Sequence, residues 1–187
     1  HCSTYLENRA YDSLLSVYLS ICPKGAMVTT MKLLLLSDSH GRVDSLLEAV
    51  DRELPDGAAH LGDVSRDAEA LAAAYPDLPL WSVSGNCDGW GSAAPDELEA
   101  TLGGVRFLFT HGHRYRVKLG PGLLLQTGRE RDIGCLCYGH THEPVAQLQS
   151  DGRWLINPGT AGGIGNRATY AVVQVEDGRL SVEIKEL

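Results

Sequence analysis

The chain has 187 residues, 43% of them hydrophobic, with 21 glycines and a formal net charge of -8. That is enough chain for one domain with a sizeable core, and the acidic surface disfavours non-specific binding to nucleic acid or anionic membranes. The whole imbalance belongs to residues 31–187, because residues 1–30 balance Arg9 and Lys24 against Glu7 and Asp12.

The first thirty residues read differently from the rest. The chain opens on His1, and Tyr11 to Ile21 is partly apolar but holds Asp12 and three serines. Such a stretch is too short and polar to span a membrane, and it lacks the basic start and clean apolar core of a signal peptide. We expect residues 1–30 to be an extension, disordered or not native. The single domain, residues 31–187, then begins at Met31 or Met27.

Residues 33–36, four leucines, read as a buried strand running into Ser37-Asp38-Ser39-His40-Gly41. Residues 43–54 follow as a helix, with Val43, Leu46, Leu47 and Val50 at helical spacing. A second strand at 58–61 ends at Gly62-Asp63, and an alanine-rich helix over 65–74 stops near Pro76. The third strand, 80–83, runs into Gly85-Asn86-Cys87-Asp88. This alternation predicts a parallel sheet with right-handed crossovers, in which ligands bind beyond the carboxyl ends of the strands.

The second half is richer in strands. Residues 105–109 lead into Thr110-His111-Gly112-His113, a short helix covers 122–131, and 134–138 lead into Gly139-His140-Thr141-His142. Further strands are predicted at 145–149, 153–156, 170–175 and 180–184, with hairpin turns at Asp151-Gly152 and Asp177-Gly178. We expect an α/β protein in which two packed sheets carry helices outside. Five cysteines is an odd number, and Cys135-x-Cys137 lacks the C-x-x-C spacing of a zinc ribbon or redox pair. The thiols are therefore expected to be free, in a reducing cytoplasm.

Seven metal-competent side chains recur on these loops: Asp38, His40, Asp63, Asn86, His111, His140 and His142. Oxygen and imidazole ligands suit Mn, Fe or Zn without any thiolate. Asp38 and His40 can grip one cation from a short loop, and Asp63 can give one oxygen to each of two. Two ions about 3.5–4 Å apart would hold a hydroxide between them, lower its pKa and clamp the oxygens of an in-line displacement at phosphorus. Taken singly, an Asp before Gly is an ordinary turn residue, and His60 reads as a core histidine. The clusters taken together, in order and at strand ends, have no such explanation.

The order D-x-H, G-D, G-N-x-D, H-G-H, G-H-T-H over residues 31–187 resembles the calcineurin-like metallophosphoesterases. The short length and the G-N-C-D variant are most similar to the small YfcE-type phosphodiesterase branch. The resemblance implies a four-layer α/β/β/α sandwich, two mixed sheets flanked by helices. It also implies a dinuclear site for two divalent ions, Mn foremost, with Ni, Fe or Zn as alternatives. One ion would take Asp38, His40, Asp63 and His142; the other would take Asp63, Asn86, His111 and His140. Many relatives carry after the Asn a His that acts as an acid toward the leaving group, but Cys87 stands there in this chain. A thiol is a poor substitute for an imidazolium. We therefore take His113 as the proton donor, with a metal-bound water as the fallback, and Asp88 as an orienting group. With Asn86 they make the catalytic set. Asn157-Pro158-Gly159-Thr160 either resembles a further family element near the site or is a simple Pro-Gly turn.

The predicted activity is hydrolysis of a small phosphodiester by a metal-bridging hydroxide. The motifs lack a dense Arg or Lys cluster, which favours diesters over monoesters; Arg42, Arg114 and Arg116 are the nearest cations. The rivals are a phosphomonoesterase on the same ions and a non-catalytic interaction module like the retromer subunit that resembles this fold. A cysteine phosphatase loop is excluded because the position six residues after Cys87 is Ala93, not Arg. No nucleophile elbow or Walker loop occurs. The expected partner is the small-molecule substrate, with no strong nucleic-acid patch, no membrane, and homo-oligomerisation left open. Specificity is expected in the loops at 88–98 and 113–120.

Overall fold

A computed structural model describes residues 19–21, 27–89 and 92–187. The first half runs β1 (Leu19–Ile21), β2 (Met27–Leu36), α1 (Val43–Glu53), β3 (Gly57–His60), α2 (Ser65–Ala74) and β4 (Leu80–Ser82). Next come β5 (Glu97–Leu102), β6 (Val105–Thr110), two single-turn 3-10 helices (His113–Tyr115 and Val117–Leu119) and α3 (Gly122–Glu130). The chain closes with β7 (Cys135–Cys137), β8 (Val145–Leu148), β9 (Trp154–Asn157), β10 (Thr169–Glu176) and β11 (Arg179–Glu186). One sheet has the order β11-β10-β2-β3-β4, with β1 also paired to β2; the other has the order β5-β6-β7-β9-β8. The strands β2, β3 and β4 are mutually parallel, as are β6, β7 and β9. The β10–β11, β2–β10, β5–β6 and β8–β9 pairings are antiparallel.

Side chains alternate across each strand, and both faces of the central strands are covered. Leu33 and Leu35 face the second sheet, where they meet the layer of Phe107, Phe109, Cys135, Cys137 and Ile156. Leu34 and Leu36 point the other way, onto Leu46 and Val50 of α1 and Leu71 of α2. On the far side Leu108, Leu136 and Leu155 pack with Leu124 of α3, Val117 and Ile133. A strand buried on both faces reads as an unbroken apolar run, which is why 33–36 is all leucine. The result is the expected four-layer α/β/β/α sandwich of two mixed sheets. Cys135 and Cys137 are free and buried between the sheets, with their sulfurs 3.7 Å apart.

Of the leader, two pieces are described: β1 and the start of β2, paired antiparallel with Leu19 opposite Thr29. The rest of residues 1–30, including most of Tyr11 to Ile21, lies outside the described residues. Among the described residues no helix is long and apolar enough to cross a membrane. Strand β5 is absent from the sequence reading. It is an edge strand in which Glu97, Glu99 and Thr101 alternate with Leu98, Ala100 and Leu102, too polar to register as a buried run. It joins β6 through Gly103-Gly104, both at positive φ (55° and 84°) as a two-residue hairpin turn requires. Arg131 holds Glu97 (2.7 Å) and Glu99 (3.3 Å) from across the fold.

The end of α1 is tied to the first sheet by one buried carboxylate. Glu53 accepts from Tyr170 Oη and Lys185 Nζ, each at 2.9 Å, and lies 3.4 Å from Lys32 Nζ. Burial works to raise its pKa, but the hydrogen bonds from Lys185 and Tyr170 outweigh it and hold the carboxyl below its ordinary 4.5. A depressed carboxyl stabilises the fold above its unfolded pKa and loses that contribution as pH falls through the folded one. Glu53→Gln is thus expected to cost about 1–3 kcal/mol at pH 7. In urea melts across pH, the gap to wild type should narrow below about pH 4.5.

Candidate metal centre

The parallel strands of both sheets end in one shared cleft. Asp38 and His40 follow β2, Asp63 follows β3, Asn86 follows β4, His111 follows β6, and His140 and His142 follow β7. Five of these seven hold a left-handed backbone: Asp38, His40, Asp63, His140 and His142, at φ of 53°, 47°, 60°, 69° and 61°. Each such non-glycine conformation is strained by about 1–3 kcal/mol, and a cluster of them marks a site where geometry outranks stability.

The carboxylates are held from the side away from the cleft. Asp38 Oδ2 accepts from Ser37 Oγ (2.5 Å) and from the His140 amide (3.0 Å). Its other oxygen, Oδ1, is fully buried with no hydrogen-bond donor, although His142 Nε2 stands 3.1 Å and His40 Nε2 3.9 Å away. Asp63 Oδ1 accepts the Cys87 amide (2.9 Å), and Asp63 Oδ2 lies 3.9 Å from His40 Nε2. Burial opposes the charge on Asp63, but His111 and the Cys87 amide outweigh it and keep its pKa below the usual range.

The imidazoles are oriented by backbone carbonyls. His111 Nδ1 lies 2.8 Å from Leu61 O, and His142 Nδ1 lies 3.0 Å from Ile164 O. A carbonyl only accepts, so both Nδ1 atoms carry a proton, and in the neutral ring that a metal ligand must be, each Nε2 presents a lone pair. His111 Nε2 then faces Asn86 Oδ1 at 3.1 Å and Asp63 Oδ1 at 3.4 Å. With His111 as a neutral ligand, these are three acceptors converging on one point. Such groups repel unless a cation sits between them, so the donor set fits a divalent metal. One ligand atom each from Asp38, His40 and His142 lies within 4.8 Å of the others, as is true of Asp38, Asp63 and His111. The His140 ring packs edge-on against His111, centroids 4.9 Å apart. Burial, with help from the His111 and Lys118 charges, pushes its pKa down to about 4, so its lone pair is free.

Other expected residues take different places. Both Asp88 oxygens accept backbone amides, Gly85 N at 2.7 Å and Ser65 N, so Asp88 braces the Asn86 loop against the start of α2. His113 is partly buried with Nδ1 unpartnered, its ring centroid 5.4 Å from that of His111. Burial first, then His111, lowers its pKa, which leaves the ring neutral at pH 7 and poor as an acid. Cys87 is exposed, and burial of its thiol together with Asp63 pushes the pKa up to about 11. The Asn157–Thr160 stretch is more than a turn. Asn157 Nδ2 donates to Gly139 O (3.0 Å) and Thr141 Oγ1 (2.9 Å), while Thr160 Oγ1 donates to Asp38 O (2.8 Å).

Asp67 is the main residue the sequence reading misses. Its Oδ2 accepts from Ser39 Oγ (2.6 Å) and the Gly41 amide (2.7 Å), which fixes the Asp38–His40 loop from α2. Ser39 Oγ also lies 3.1 Å from Nε2 of the fully buried His60, whose pKa burial lowers to about 4. An acid in the first turn of a helix reads as a helix-dipole residue, so nothing in the sequence marks it. Asp67→Ala is expected to weaken metal binding about 10- to 100-fold in a direct titration, with the fold intact.

The sequence profile of the calcineurin-like phosphoesterase superfamily domain matches residues 31–178. The chain belongs to the calcineurin-like phosphoesterase superfamily. Among its curated relatives, "Probable metallophosphoesterase YsnB" of Bacillus subtilis is 32% identical over 159 residues, covering 81% of this chain and 89% of that protein. Among solved phosphoesterase-like structures, a conserved uncharacterized protein of Streptococcus pneumoniae, described as a predicted phosphoesterase, superposes with a TM-score of 0.72. It is 26% identical, over 84% of this chain and 90% of that one. Vacuolar protein sorting 29 of Cryptosporidium parvum, 20% identical, shares the fold with a TM-score of 0.67 over 84% of this chain and 98% of its own. Beside Cys87 this member of the superfamily has an open depression of about 430 Å³, with Ser65, Arg66, Glu69 and Ser92 on its walls.

Proposed function

We propose that the protein is a divalent-metal-dependent phosphodiesterase, and the observation that carries this is the set of facing acceptors. Asp63 Oδ1 and Asn86 Oδ1 converge within 3.4 Å of His111 Nε2, and with a neutral imidazole these three atoms form one donor set for a cation. The fully buried Asp38 Oδ1 is likewise left without a donor between His40 and His142. In this reading Asp38, His40, Asp63 and His142 hold one ion, and Asp63, Asn86, His111 and His140 hold the other. Bound, the pair supplies a nucleophile from water at neutral pH and neutralises the phosphoryl oxygens. The chain's own part is to fix these atoms before substrate arrives: Ser37, the His140 amide and the Cys87 amide anchor the carboxylates, and Leu61 and Ile164 set the tautomers.

A diester needs room for a second arm and has one negative charge fewer than a monoester dianion. The depression beside Cys87 supplies the room. Arg114, among the cations nearest the motifs, is paired with Asp96 at 2.7 Å rather than turned to a phosphate. The expected partner is a small-molecule diester, and Mn is our first choice of ion. We place the protein in the cytoplasm on the free thiols. An interaction module without catalysis would have no need of the complete donor set. Stripped protein reloaded with Mn should cleave a bis-aryl phosphodiester with a higher kcat/KM than the matched monoester. Metal-independent or absent turnover would overturn the proposal, and a preference for the monoester would overturn its substrate class.

A further inference from the structure

We propose that Cys87 is an additional ligand that captures thiophilic cations, through a third coordination set made of His40, Asp63 and Cys87. The inference rests on the metal-centre reading above. One ligand atom from each of the three lies within 4.8 Å of the other two. Ligands about 2.0–2.3 Å from a common tetrahedral ion stand about 3.5 Å apart, so small side-chain rotations close the set. His40 can serve two masters: its Nε2 is 3.9 Å from Asp38 Oδ1 and 3.9 Å from Asp63 Oδ2. The unpartnered, fully buried Asp38 Oδ1, 3.9 Å from the same His40 Nε2, marks the adjoining corner of the cleft as a place for a cation. Cys87 as a residue is exposed, so the set can be reached from solution.

The chemistry sorts ions by softness. A hard ion such as Mn gains little from sulfur and stays on the oxygen and imidazole atoms. A soft ion such as Cd, or a borderline one such as Zn, is drawn toward the thiol; the metal–sulfur bond replaces the S–H bond, and the proton now shared with Asp63 leaves to solvent. Position 87 thus sets metal selectivity as well as lacking an acid.

The test compares full-length wild type with Cys87→Ser. Co²⁺ added to wild type should give a sulfur-to-cobalt charge-transfer band in the near ultraviolet that the variant lacks. Cd²⁺ affinity, measured by competition with a chelating dye, should fall about tenfold or more in the variant, while Mn²⁺ affinity changes little. Ligand-field bands without the charge-transfer band, a band that persists in the variant, or equal Cd²⁺ affinities would overturn the role of Cys87 and leave the metal centre standing. Failure of wild type to bind any of the three ions would overturn both.

Discussion

Asp63→Asn should reduce metal-dependent turnover by about a thousandfold or more, which corresponds to about 4 kcal/mol of transition-state stabilisation. The substitution keeps the shape of the side chain and removes one charge. Asp63 has an oxygen toward each half of the cleft: Oδ1 is 3.4 Å from His111 Nε2 and Oδ2 is 3.9 Å from His40 Nε2. An amide presents only one carbonyl oxygen, and its NH2 group would point at a lone pair on one side or the other. Metal titration and steady-state kinetics on the same protein would separate weakened binding from slowed chemistry. Wild-type kcat in the metal-saturated variant would remove Asp63 from its central place.

Gly85→Ala is expected to lower activity about 100-fold and stability by about 1–3 kcal/mol, although it adds a single methyl group. A β-carbon there would lie 2.1 Å from Asp63 Oδ1 and 2.4 Å from Asp63 N. The second atom is backbone, so rotation of a side chain cannot relieve the clash; the whole Asp63 loop must move. Gly122→Ala is the matched control. Position 122 opens α3 with nothing within 4 Å of an added β-carbon, so stability should hold or rise by up to about 1 kcal/mol. Thermal melts and turnover measured side by side would reveal whether Gly85 is set by the carboxylate it lets pass.

The residues that touch the cleft are legible in the sequence because they follow strands that are themselves easy to read. Leu33 to Leu36 are buried on both faces, and the loop after them opens with Ser37-Asp38. The same logic locates Asp63, Asn86, His111 and His140. What escapes is support that arrives from elsewhere in the chain. Asp67 acts on the Asp38 loop over a separation of 28 residues, through a hydrogen bond that no local pattern encodes, and the stretch holding Thr160, open between a site element and a plain turn in the sequence, acts on it over 122. Strand β5 escapes for another reason: only every second residue is apolar, so its short edge run shows no continuous hydrophobic signal until it pairs with β6. The role of His113 depends on burial beside His111, which the sequence does not reveal.

The two sheets contribute unequal but complementary shares of the cleft: Asp38, His40, Asp63 and Asn86 from one, His111, His140 and His142 from the other. A cation held by both is therefore a clasp across the sandwich, fastening at its rim the layers that Leu35 and Phe109 join at the centre. Metal saturation at about 100 times Kd would add about 2.7 kcal/mol to folding. Chelation should then lower the melting temperature by about 5 °C or more in wild type, and by much less in Asp63→Asn. A drop in cation supply would on this view loosen the seam between the sheets, so that starvation for metal lowers the abundance of the protein as well as its rate.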